Sequence, residues 1–169
     1  MRNLISLASS VALVALLSAC GGSDDPAPTT PPPPATVTAG DASRYAGTWS
    51  ACVSTGASTS RKETVVITAT GASTLAFSQS ETNFAAAGCT GTAGTPSTGT
   101  GTAVFTGTTK TVGTSTVDKG TVTQGTKVQK QIFLVTATTL TTGKGVGDGG
   151  TLDADGYPNS LDSGVLTKQ

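Results

Sequence analysis

Three cysteines and a few carboxylates are the residues of this chain that could do chemistry. The 169 residues include ten acidic and ten basic side chains but no histidine. Most nucleophile–base pairs and most zinc sites need histidine, and no Gly-x-Ser-x-Gly nucleophile elbow is present. The sequence therefore predicts a protein that is not an enzyme and needs no cofactor.

The one acidic cluster that could bind a metal ion lies near the C-terminus. Asp153-Ala154-Asp155-Gly156 is similar to half of a calcium loop, in which alternate carboxylates and a glycine turn surround a hard cation. Thr151 stands where the first carboxylate of such a loop belongs, and Asp and Gly are ordinary turn formers. We therefore expect a turn and no metal site. The alternative is a calcium site whose ligands would be Asp153, Asp155 and Asp162.

This turn is expected to deliver Tyr157-Pro158 to the first strand, near Trp49. Aspartate and glycine supply turn conformations, and proline fixes the direction in which the chain continues. Tyr157 is the only large aromatic residue in the last 35 positions, so its burial should help close the sheet.

Two other patterns are explained without chemistry. The segment from Gly145 to Gly150 satisfies Gly-x-Gly-x-x-Gly, but the residues after it cannot form the helix that a nucleotide site needs, which predicts a loop. Glu63 and Glu81 could form a catalytic carboxylate pair, yet both lie beside strand ends in polar surroundings, which favours a solvated face.

The N-terminal segment indicates where the protein is located. Arg2 precedes an apolar block, Leu4 to Leu17, that is typical of a secretory signal and short for a membrane span. Leu17-Ser18-Ala19-Cys20 resembles the lipobox of bacterial lipoproteins. The resemblance implies cleavage before Cys20, lipidation of its thiol and, because Gly21 follows, anchoring in the outer membrane. The alternatives are a plain secretory signal or an uncleaved anchor.

The other two cysteines are expected to pair. With Cys20 lipidated in an oxidising compartment, Cys52 and Cys89 are the thiols that remain. A bridge between them would close a loop of about 38 residues and stabilise the domain by about 4 kcal/mol in the chain-entropy model. Their spacing is unlike Cys-x-x-Cys, which makes a redox or metal pair the weaker alternative.

Composition divides the chain into three parts. The expected boundaries are a signal peptide over residues 1–19, the lipidated cysteine and a proline-rich tether over 20–43, and a β domain over 44–169. Asp-Asp-Pro-Ala-Pro-Thr-Thr-Pro-Pro-Pro-Pro cannot form a packed core and favours an extended chain. The scattered, balanced charges exclude a nucleic-acid footprint. The membrane, through the lipid, is the expected partner, with an envelope protein or a small ligand as a further one.

The β domain should be an all-β antiparallel meander, a small barrel or sandwich of about eight strands. Threonine and valine suit strands, and glycine suits turns. Lys62–Ala69 and Leu75–Ser78 alternate in hydrophobicity and predict a hairpin, while 90–102 predicts a long flexible loop. Shorter strands should be separated at Asp118-Lys119-Gly120, and Lys127–Thr136 is the strongest strand.

Gly47-Thr48-Trp49 is similar to the Gly-x-Trp signature of the first strand in lipocalin-like barrels. The resemblance implies a tryptophan at the closed end of a barrel, under a basic residue from a late strand. Two hypotheses for function follow. One is an outer-membrane lipoprotein with a non-catalytic structural or interaction role. The alternative is a lipocalin-like barrel that binds a small apolar ligand, which threonine and alanine at inward positions would disfavour.

Overall fold

The computed structural model describes residues 38–169. Residues 1–37, which carry the predicted signal peptide, Cys20 and most of the predicted tether, lie outside the described residues. Within the described range, no helix has the length and apolar character of a membrane span.

Eight strands follow one another along the chain, and each pairs antiparallel with the next. They are β1 Gly47–Ser54, β2 Ser60–Ala69, β3 Thr74–Phe84, β4 Ser97–Val112, β5 Ser115–Gln124, β6 Lys127–Val135, β7 Thr139–Thr142 and β8 Leu166–Lys168. β8 also pairs with β1, which closes a barrel. The predicted all-β meander is confirmed, and of its two forms the barrel is the one that forms.

The predicted hairpin between β2 and β3 is confirmed. Ten residue pairs run from Ser60 opposite Phe84 to Ala69 opposite Leu75. At the tight end, the Thr70 and Gly71 amides both donate to the carbonyl of Thr74. The apolar residues Val65, Ile67, Leu75 and Phe77 share the inward face, which favours this register, because a slip by one residue would turn them to solvent.

The predicted loop over 90–102 is wrong in its second half, since β4 begins at Ser97. Gly99 and Gly101 lie on the strand at positions that point into the barrel. A Cβ on Gly101 would lie 2.5 Å from the ring of Phe77, which crosses the strand there. Glycine is therefore required at these strand positions because neighbouring side chains pack against the backbone there, although a glycine-rich sequence is typical of a loop.

The predicted break at Asp118-Lys119-Gly120 is also wrong. The turn lies earlier, at Gly113, whose φ of +59° is a left-handed conformation that glycine adopts without strain. β5 then runs unbroken through Asp118, which points inward and is only 5% exposed. The Asp118 carboxylate accepts hydrogen bonds at the closed end of the barrel. These long-range contacts outweigh the preference of aspartate for turns.

One end of the barrel is closed by aromatic side chains. A short 3-10 helix, Ala42–Tyr45, covers this end, and the Tyr45 ring stacks on Phe105 with centroids 4.7 Å apart. Trp49 is fully buried, and its indole NH donates to the Tyr45 carbonyl. The Nζ of Lys168 in β8 lies 5.1 Å from the Trp49 ring, as the Gly-x-Trp resemblance implies.

Tyr157 does not approach Trp49, so its predicted position is wrong. The turn itself forms, because the Gly156 amide donates to the Asp153 carbonyl. It delivers Tyr157 to the outer surface of β5 and β6, where the ring packs with Val117 and Ile132. Both of these residues point away from the barrel interior, and covering them removes apolar surface from water.

The predicted disulfide between Cys52 and Cys89 is confirmed, with Cα atoms 5.9 Å apart. Cys52 lies on the outer face of β1, and Cys89 ends a short 3-10 turn that follows β3. The bridge fastens this turn to the barrel wall. The turn is also held through Ser60, whose hydroxyl donates to the Ala86 carbonyl and accepts from the Cys89 amide.

Candidate functional site

The barrel interior contains a cavity of about 260 Å³. Because successive residues of a strand point to opposite faces, every second residue of the long strands lines it. The end next to Tyr45 is apolar, and Ile67, Leu75 and Leu140 are buried there. The opposite end carries polar side chains. The interior is thus a cup with an apolar floor and a polar rim.

Several aliphatic and aromatic side chains in the cup are not covered by protein. Val65, Phe77, Val122 and Leu166 point into the barrel and line the cavity, yet each remains partly exposed. A lining rich in threonine and alanine was expected but is not found. One threonine, Thr142, and one alanine, Ala103, are among the lining residues. Most threonines of the strands point outward instead, and the floor is a surface on which an apolar group can pack.

Four glutamines form the polar rim, and sequence reasoning did not identify them as site residues. Gln79, Gln124, Gln129 and Gln131 all line the cavity. A signal was available on β6, where Gln129 and Gln131 alternate with outward residues in the same phase as the core residue Phe133. Polar side chains at inward-pointing positions of a strand indicate an interior that is hydrated or that binds a ligand.

A charged group lies on the same side of the barrel. Glu63 and Glu81 are opposite each other on β2 and β3, and both point inward rather than to the outer surface. Arg61 joins them, with its guanidinium 2.6 Å from Glu63 and 3.8 Å from Glu81. Two carboxylates share one guanidinium, which leaves one net negative charge near the rim.

The closed end contains a buried polar network rather than a binding site. The Asp118 carboxylate accepts hydrogen bonds from the Tyr45 hydroxyl at 2.5 Å, the Arg44 guanidinium at 3.2 Å and the Gly40 amide at 3.1 Å. Burial and then the bond to Asp118 raise the pKa of the Tyr45 hydroxyl above its ordinary value. All the partners come from within the chain, so this network fixes the 3-10 helix to the barrel.

The three aspartates considered as calcium ligands do not converge. The Asp153 carboxylate accepts from Lys110 at 2.6 Å, and this bond is the main reason that its pKa lies below the ordinary value. Asp155 is exposed beside Lys119, and Asp162 accepts from the Gly164 amide. Among residues 38–169 no three acidic or cysteine side chains are grouped as a metal site would require.

The glycine motif from Gly145 to Gly150 lies on the outside of the barrel. It contains a single 3-10 turn, Val146–Asp148, and no longer helix follows it, as predicted for a loop. Together with Gln129, Lys130 and Gln131 of β6 it borders a groove of about 580 Å³. The loop side of this groove consists largely of glycines and polar residues, and its aliphatic side chains, Val146 and Leu152, are exposed. It offers less enclosed apolar surface than the cup, and we therefore place the candidate site in the interior cup.

Comparison of the chain with protein-family models, curated proteins and solved structures finds no match.

Proposed function

We propose that the barrel is a non-catalytic binding module that takes a small ligand with an apolar part into its interior. In this proposal the module belongs to a lipoprotein of the cell envelope, anchored in the outer membrane through Cys20. The interior cup is the single observation that carries the binding role. The anchoring role rests on the N-terminal sequence alone.

The cup fits a small ligand for two physical reasons. Its volume of about 260 Å³ lies just below the range of roughly 300–1,000 Å³ for pockets that hold drug-sized molecules. A ligand that covers its exposed apolar side chains, Phe77 and Val122 among them, would gain about 25 cal/mol of binding free energy per Å² of apolar area removed from water. A filled core would instead have favoured a purely structural role.

Filling the cup is expected to abolish binding. We predict that hexan-1-ol titrated into the parent protein shifts the methyl NMR signals of Val65, Val122 and Leu166 and saturates. Val122→Phe places a ring in the space that the probe occupies, so the remaining interior methyl signals should no longer respond. The measurement is a two-dimensional methyl spectrum at increasing hexan-1-ol concentration.

Val104→Phe is the matched control, because Val104 lies on the neighbouring strand, points outward and is 49% exposed. This variant should bind hexan-1-ol as the parent does. The proposal fails if the outward methyls of Val66 and Val128 respond as strongly as the interior ones, since the probe would then bind to the surface in general. A barrel that does not respond at all would leave the structural or interaction role as the better hypothesis.

The proposed anchor makes a separate prediction about the native protein. Lipidation at Cys20 should appear as an increase in intact mass over the chain that begins at Cys20, and the protein should partition into detergent. Several acyl chains make such anchoring durable, because each buried methylene contributes about 0.8 kcal/mol. A Cys20→Ala variant that still partitions into detergent, or a product with a free Cys20 thiol, would contradict the anchor.

A further inference from the structure

We propose that the rim selects ligands by a neutral polar head that both donates and accepts hydrogen bonds, as a carboxamide does. Ligands of similar size with a carboxylate or an ammonium head would bind more weakly. This inference rests on the proposed function, because it concerns the same interior cup. It is carried by three of the rim glutamines, whose amides are directed to the cavity and make no hydrogen bond within residues 38–169.

The amides of Gln79, Gln124 and Gln129 are available to a ligand. None of the three makes a hydrogen bond to another side chain or to the backbone within the described part of the chain, although all line the cavity. Gln131 differs, because its amide accepts from the Ile132 amide and donates to the Gly143 carbonyl. Each free amide offers two donor hydrogens and one acceptor oxygen.

Two of the free amides converge on one point of the rim. A Cβ placed on Gly99 would lie 2.8 Å from the Nε2 atom of Gln124 and 3.3 Å from that of Gln79. Both side chains therefore extend over Gly99 from the strands on either side of it. The missing side chain leaves the room in which the two amides meet, and a polar head placed there can bond to both.

The charges near the cup disfavour an ionic head. The lining carboxylate, Glu63, is already paired with Arg61 at 2.6 Å, so the more exposed Glu81 is the carboxylate left to attract an ammonium group. Glu81 is the more exposed of the two carboxylates and leaves the group with excess negative charge, which repels a carboxylate head. A charged head also loses its hydration on entering a half-enclosed cup, whereas a neutral head loses less.

The shape of the cup fixes the orientation of the ligand. Its floor is closed by Tyr45 and Phe133, and its polar side chains are at the opposite end. An apolar tail therefore enters first and packs on Phe77 and Val122, and the head remains at the amides. Because the tail interaction is common to all ligands of one chain length, differences among heads report on the rim alone.

The test compares four probes that share a six-carbon alkyl tail on the parent protein by methyl NMR titration: heptanamide, hexan-1-ol, hexylammonium and heptanoate. We expect heptanamide to bind at least about tenfold more tightly than heptanoate, with hexylammonium between them; tenfold corresponds to about 1.4 kcal/mol. Hexylammonium as the tightest probe would overturn the inference in favour of recognition by the carboxylates. Equal affinities would also overturn it while leaving the proposed function standing. If none of the four binds, the proposed function itself fails.

Rim variants test whether the glutamines are responsible. Gln79→Leu and Gln124→Leu remove the amide and leave an aliphatic side chain of nearly the same size, so each should reduce the preference for heptanamide severalfold while binding of the hexyl tail persists. Thr100→Leu, at an outward and exposed position of β4, is the matched control and should keep the parent's preference. An unchanged preference in both glutamine variants, with the fold intact by circular dichroism, would contradict the inference.

Discussion

Replacing Asp118 by alanine is expected to lower the free energy of unfolding by about 3 kcal/mol, because it breaks a buried ionic and hydrogen-bonded network. The change removes the acceptor for the Tyr45 hydroxyl, the Arg44 guanidinium and the Gly40 amide together. Tyr45 is fully buried, so its hydroxyl would be left without a partner and away from water. Urea unfolding followed by the fluorescence of Trp49 measures the loss.

Two further variants separate this network from a general effect of charge. Asp155→Ala removes a carboxylate that is 72% exposed, and we expect a change within about 0.5 kcal/mol. Asp118→Asn keeps an acceptor for Tyr45 but loses the charge that faces Arg44, so its stability should lie between those of the parent and Asp118→Ala. If Asp118→Ala unfolds at the same urea concentration as the parent, the network does not hold the closed end together.

Loss of the disulfide should have an effect of similar size. The double variant Cys52→Ser, Cys89→Ser removes a bridge between residues separated by 37 positions. For a loop of this length the chain-entropy model gives a stabilisation of about 4 kcal/mol, mainly through the unfolded state. Urea unfolding of the double variant and of the parent under reducing conditions should give the same lowered midpoint.

Local changes should accompany this global loss. The turn that carries Cys89 keeps only its bonds through Ser60 and the neighbouring backbone, so amides of residues 85–93 should exchange with solvent faster than those of β2. Labelling of both cysteines by an alkylating reagent in the unreduced parent would contradict the bridge itself. A double variant with the same free energy of unfolding as the oxidised parent would show that the bridge does not stabilise the fold.

The fold was predictable where alternating side chains fix one register. The β2–β3 hairpin and β6 follow from that alternation, and the disulfide follows from the number of cysteines. β4 was not predictable from its own residues, because Gly99 and Gly101 are small only to make room for Phe77 and the rim amides. Asp118 misled in the same way, since its partners come from a segment more than seventy residues away.

The candidate site was only partly accessible to sequence reasoning. A barrel interior could be anticipated from Gly47-Thr48-Trp49, but its lining depends on which face of each strand points inward. Gln79 and Gln124 lie on strands whose phase is set by distant packing, and their convergence depends on the gap at Gly99. Tyr157 was placed on the wrong surface because the sequence does not show that Val117 and Ile132 need a cover from outside.

The pairing between β1 and β8, the seam of the barrel, has a consequence for the order in which the strands can pair during folding. Trp49 with Lys168 and Ser50 with Thr167 are its two residue pairs, and a bond across it joins residues 117 positions apart. The strand pairs from β1–β2 to β6–β7 join consecutive strands, so they can form before the last residues are synthesised. The seam must wait for the last residues. A chain that ends before Leu166 would keep an open sheet with two bare edges, the form of a β protein that most readily pairs with other chains.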